Sequence, residues 1–196
     1  MGPVNPPELF RRLSIALERA SIPYMVTGSF AATVYGMGRS TPDIDLIICA
    51  DEKQVRRLLD LLPQNGFYSD RSFAIEACRR QSTFNVIDEV TGLKIDFIFR
   101  KPRAFSEQEF QRRKSALVEG MQFFIVSAED LIVATLECVK MGSPLRQMED
   151  VIGILKVRKD ELDFVHIDQW VKEMGLSLEW QRARAAAGFN SATYQR

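Results

Sequence analysis

Two aspartates separated by one isoleucine, Asp43 and Asp45, stand at the head of the apolar run Leu46-Ile47-Ile48. On a β-strand, side chains at i and i+2 project the same way, about 7 Å apart. Two like charges beside an apolar core are costly unless something neutralises them, and a divalent cation held by carboxylate oxygens would do so. A third acid, Asp96, lies alone in the β-branched and aromatic run from Leu93 to Phe99. From a neighbouring strand it would complete a site for two Mg²⁺ ions, the arrangement that polarises the attacking and leaving oxygens in phosphoryl or nucleotidyl transfer. Upstream, Gly28 permits close backbone approach, and Ser29 offers a hydroxyl and an N–H to phosphate.

Taken singly, each feature is ordinary. A D-x-D is more often a solvated strand end or a helix cap, and a Gly-Ser pair is usually a turn. Asp96 would by default be an edge-strand surface residue, and Arg39 a surface charge or a partner for Asp43. The order is what joins them: strand, Gly-Ser, helix, strand-borne D-x-D, and a later strand-borne aspartate.

The elements that must position these groups follow from periodicity. Apolar spacing predicts a helix over roughly Pro7 to Ala20, with proline in its first turn. Tyr24 to Thr27 and Asp43 to Cys49 read as strands, with a short helix from Phe30 to Tyr35 between them. Asp51 can cap a helix carrying Val55, Leu58, Leu59 and Leu62 on one stripe. Asp70 to Arg80 leans helical, and Thr83 to Ile87 with Leu93 to Phe99 forms a hairpin pattern. A charged helix is expected from Glu107 to Leu117, then a last strand from Met121 to Val126. From Ser127 onward the apolar spacing is helical throughout. The predicted division is therefore an α/β domain over residues 1–126 and a helical domain over residues 127–196.

Composition narrows the class. The 26 basic and 26 acidic residues cancel, giving no general electrostatic case for nucleic acid or membrane binding. The three cysteines are widely separated and accompanied by one histidine, which suits a reducing cytoplasm better than a disulfide framework or a zinc site. With no signal-peptide pattern and no long apolar run, a soluble cytoplasmic protein is expected. His166 is expected to be a surface or packing residue, Trp170 and Trp180 core anchors, and Arg112-Arg113-Lys114 a solvated helix face.

The run G-S-x13-D-I-D-L, followed by Asp96 in K-I-D-F-I-F, resembles the nucleotidyltransferase superfamily that includes DNA polymerase β. The fuller stretch G-S-F-A-A-T-V-Y-G-M-G-R-S-T-P-D-I-D-L resembles its minimal bacterial branch, which includes toxins of abortive-infection and toxin–antitoxin systems. The helical text S-A-E-D-L-I-V-A-T-L-E-C and L-D-F-V-H-I-D-Q-W-V-K-E-M-G extends the likeness. The resemblance implies an α+β fold: a mixed β-sheet flanked by helices, followed by a C-terminal helical bundle. It further implies that Gly28 and Ser29 contact nucleotide phosphates and that Asp43 and Asp45 bind Mg²⁺. Asp96 would be the third carboxylate, as metal ligand or general base. Arg39 would pair with phosphate, while Arg146 and Asp150 would line the cleft. Relatives often carry a lysine where this chain has Thr135, so Lys94, Lys140 or Arg146 would have to stand in for it.

Three readings result. The first is an Mg²⁺-dependent nucleotidyltransferase that moves a nucleoside monophosphate from a nucleoside triphosphate to a hydroxyl on RNA or protein, acting in a toxin–antitoxin pair with an antitoxin partner. The second is a nucleotide-binding regulatory module of the same fold with little or no turnover. The third is modification of a small molecule such as an aminoglycoside.

Overall fold

The computed structural model describes residues 6–36, 43–118, 120–142 and 145–189. The chain forms two compact units, one from Met1–Thr27 with Thr41–Val126 and the other from Gly28–Ser40 with Ser127–Arg196.

The first unit is built on a mixed sheet. The β-rich runs form β1 (Tyr24–Thr27), β2 (Ile44–Ile48), β3 (Phe67–Tyr68), β4 (Thr83–Asp88), β5 (Lys94–Phe99), β6 (Lys114–Val118) and β7 (Met121–Ile125). Among the described residues they make one seven-stranded sheet in the order β3-β4-β5-β2-β1-β7-β6. β2 runs parallel to β5 and antiparallel to β1, while β1 runs parallel to β7. The hairpin expected from the two runs around Val90 is present as the antiparallel β4–β5 pair.

The sheet is flanked by α1 (Pro6–Ala20), α3 (Glu52–Leu61), α4 (Arg71–Arg80) and α5 (Ala104–Gln111). Asp51 caps α3 in a reciprocal box with Gln54, and Asp70 caps α4 by accepting from the Phe73 N–H. One side of the sheet's central strands is wholly apolar: Ile44, Leu46 and Ile48 of β2 and Ile95, Phe97 and Phe99 of β5 are all buried. Arg12 of α1 pairs with the fully buried Asp88 at 2.7 Å and donates to the Asn65 carbonyl at 2.8 Å, tying the helix to the β4 end of the sheet.

One expected element is corrected. The stretch from Glu107 to Leu117 is not a single helix, because α5 ends at Gln111 and Lys114 opens β6. The Arg113 guanidinium stacks 4.5 Å from the Phe110 ring centroid and 5.1 Å from that of Phe124, and donates to the Phe110 carbonyl at the helix end. Gly120, at φ 81°, then turns the chain so that Ser115 to Leu117 pair with Gln122 to Phe124 of β7. Arg112-Arg113-Lys114 is thus a helix-to-strand junction and not a solvated helix face.

The second unit is helical: α2 (Gly28–Val34), α6 (Ala128–Lys140), α7 (Leu145–Arg158), α8 (Phe164–Glu173) and α9 (Ser177–Ala186). Ser127 caps α6 by accepting from the Asp130 N–H. Its core gathers Leu131, Ile132, Leu136, Val151, Ile154, Ile167, Trp170 and Trp180, so both tryptophans are anchors as expected. Of the two roles expected of His166, surface or packing, it takes the second: it is buried, with Nε2 2.6 Å from Oδ1 of the fully buried Asp130, whose other oxygen accepts from Ser127 Oγ at 2.6 Å. Together with Glu129 accepting from the Asp163 N–H at 3.3 Å, this network joins α8 to α6. Among the described residues no helix is long and apolar enough to cross a membrane.

Candidate active site

Alternation in β2 puts Asp45 and Ile47 on the face opposite Ile44, Leu46 and Ile48, and Asp45 is partly accessible. Alternation in β5 does the same for Lys94, Asp96 and Ile98. The parallel register makes Asp45 and Asp96 direct Cα partners. On their outer sides, Thr27 is the partner of Asp45 and Asn85 the partner of Asp96. Directly paired residues share a face, so Thr27, Asp45, Asp96 and Asn85 form one row across β1, β2, β5 and β4. Asp96 is therefore on a central strand, not an edge.

The row is electrostatically loaded. Burial, reinforced by the negative charges of Asp96 and Asp43, pushes the Asp45 carboxyl up to about 6 against an ordinary 3.8, with Lys94 pulling the other way. Asp43, just before the strand, is exposed. Asp96 has a donor on each oxygen: Asn85 Nδ2 on Oδ1, and Lys94 Nζ on Oδ2 at 3.0 Å. Among the described residues, no group of three or more His, Cys, Asp and Glu side chains is gathered so as to hold a metal ion. The carboxylate chemistry nonetheless suits a cation, since a half-buried acid whose ionisation is opposed by two neighbouring acids gains directly from added positive charge.

Of the other expected site residues, Gly28 has φ 64°, a left-handed value that favours glycine, at the junction where β1 gives way to α2. Ser29 follows it in the first turn of α2, where its carbonyl accepts from Thr33 Oγ1 at 3.1 Å. Arg39 lies outside the described residues. Arg146 and Asp150 belong to α7 in the helical unit, Arg146 exposed and Asp150 buried. Lys140 Nζ donates to the Gly175 carbonyl at 3.0 Å, closing the C-terminal end of α8, and Thr135 is half-buried on α6.

No family model matches the chain, and no curated protein sequence does. Solved structures do. A nucleotidyltransferase-like protein from Paracoccidioides brasiliensis, described as antigenic, aligns over 98% of this chain and 98% of its own at 14% identity, with a TM-score of 0.54. The fold is nucleotidyltransferase-like. The antibiotic-resistance factor ANT(2″)-Ia aligns over 91% of this chain and 88% of its own at 14% identity and TM-score 0.48. The lincosamide antibiotic adenylyltransferase LnuA aligns over 67% and 86% at 15% identity and TM-score 0.47.

On this nucleotidyltransferase-like fold, two members of the row, Thr27 and Asn85, were not singled out by the sequence. Asn85 was visible only as a polar residue between the buried Phe84 and Val86. Its meaning required the hairpin register that sets it opposite Asp96. Lys94 was named only as one stand-in for the lysine absent at Thr135, and its bond to Asp96 depends on the rotamer and not on the alternation.

Proposed function

We propose that the chain is an Mg²⁺-dependent nucleotidyltransferase that transfers a nucleoside monophosphate from a nucleoside triphosphate to a hydroxyl on RNA or protein, as one component of a toxin–antitoxin pair. The observation that carries this is the registered Asp45–Asp96 pair with Asp45 raised to about 6. Asp43, Asp45 and Asp96 would hold the metal. When bound, Mg²⁺ would supply positive charge to the phosphate oxygens that develop negative charge.

The chain's own residues would do the rest. Gly28 and Ser29 would take the phosphates through the backbone and the serine hydroxyl, with Arg39 as a further cation. The acceptor hydroxyl oxygen forms a bond to the α-phosphorus, the bond from that phosphorus to the bridging oxygen breaks, and pyrophosphate leaves. The hydroxyl proton would pass to Asp96, whose hydrogen bond from Asn85 fixes its orientation. Arg146 and Asp150 would be further nucleotide-binding residues.

A second reading is favoured by Thr135, where the resemblance expects a lysine: a module that binds nucleotide and turns it over slowly or not at all. Calorimetric titration with ATP, GTP, CTP and UTP in Mg²⁺, run beside transfer of α-labelled nucleotide to cell RNA and protein, separates the two. Binding with transfer supports the enzyme, and binding without transfer to any acceptor supports the module. Absence of binding contradicts both.

A further inference from the structure

Beyond its candidacy as a stand-in for the lysine absent at Thr135, Lys94 takes no step in the chemistry above, yet it bonds one of the carboxylates that does. Two residues before Asp96 on β5, it shares the polar face of the strand, and its ammonium lies 3.0 Å from Asp96 Oδ2. Like any accessible lysine it carries a full positive charge at neutral pH, and it holds that charge against Asp96, the Cα partner of Asp45. Its side chain is 44% exposed while that of Asp96 is 20% exposed, so the lysine approaches from solvent and the carboxylate is the fixed partner.

We infer that Lys94 is a tethered counter-ion of the carboxylate row, and that it competes with the divalent cation for Asp96. This rests on the metal assignment proposed above. An ammonium and a divalent ion drawn to the same carboxylate oxygens repel one another, so both cannot hold Asp96 at full strength. Swinging the flexible lysine stem into water breaks a partly exposed ion pair, which is a small penalty. Lys94 therefore keeps the metal-free row partly neutralised and yields when the metal enters. Asn85, which is uncharged, can remain on Oδ1 throughout and hold the carboxylate plane.

The competition has a direction that a simple structural ion pair or a phosphate-binding lysine does not. Removing Lys94 should tighten Mg²⁺ binding in the absence of nucleotide. Calorimetric titration of the nucleotide-free protein with Mg²⁺, repeated with Mn²⁺, reads this directly. The expected result is that Lys94→Met binds about tenfold tighter than wild type at low ionic strength. Lys94→Arg, which keeps the charge, should bind no tighter than wild type. If Lys94→Met does not melt cooperatively, Lys94→Gln keeps a polar stem and is read in the same titration.

Unchanged or weaker metal affinity in the neutral variant overturns the competition. Failure of the underlying metal assignment looks different: wild type and Asp45→Asn would then take up Mg²⁺ equally, or not at all. If wild type binds, Asp45→Asn does not, and Lys94→Met matches wild type, only the role given to Lys94 fails.

Discussion

Asp45 and Asp96 are Cα partners across the parallel β2–β5 pair, on the one polar face of two strands whose other face is sealed into the core. Neither strand can slip by one residue to relieve the charge, because a slip would carry Ile44, Leu46 and Ile48 out of the apolar layer. The fold thus holds two acids together and supplies Lys94 and Asn85 to Asp96, leaving Asp45 as the strained member.

That strain predicts a stabilising mutation. Asp45 binds its proton more tightly folded, at about 6, than at its ordinary 3.8. Its favourable contribution is therefore complete below about pH 4 and is lost as pH rises through 6. At pH 7.5 the ionised group costs about 2 to 3 kcal/mol relative to a neutral one. Asp45→Asn should raise the melting temperature of the metal-free protein by roughly 4–8 °C at that pH and by much less at pH 4, as scanning calorimetry would register.

The same shift sets the pH dependence of cation binding. Below about 6 Asp45 carries a proton that a metal must displace. Mg²⁺ affinity of the wild type measured by calorimetry should fall steeply between pH 7 and pH 5.

In the helical unit, the Ser127–Asp130–His166 network is structural. Asp130→Ala would leave His166 buried without its carboxylate and Ser127 Oγ without its acceptor, at a cost of about 3 kcal/mol. Urea denaturation should show a lower midpoint with an unchanged slope.

Gly36 is a second structural test in that unit. Its φ is 107°, and a Cβ there would meet Val157 Cγ1 of α7 at 2.7 Å. Gly36→Ala should destabilise by about 1–3 kcal/mol through both strain and overlap, measured by the same denaturation.

Much of this arrangement was legible in the chain. Tyr24 to Thr27 and the strand after Asp43 stood out because apolar β-formers end abruptly at Gly28 and at Asp51. The acids were legible because strand alternation fixes their face. What was hidden depends on pairing. The β6 strand has five residues and follows directly on a charged helix, so its period cannot be told from the helix's last turn; only Gly120 and the partner β7 define it. β3 has two residues and no period at all. The row itself comes from register, which places Asn85 and Thr27 beside acids distant in sequence. His166 is a packing residue, one of the two roles expected of it, but its partner was hidden because Asp130 lies in another helix and presents itself in the chain as a first-turn acid.

The central claim is tested most directly by transfer of α-³²P-labelled nucleotide by wild type and Asp45→Asn in parallel, at a temperature where both are folded. Loss of transfer by at least 100-fold in a variant that melts higher than wild type is the predicted result, because removing the carboxylate removes the strain and the function together. Transfer retained at the wild-type rate in Asp45→Asn would contradict it.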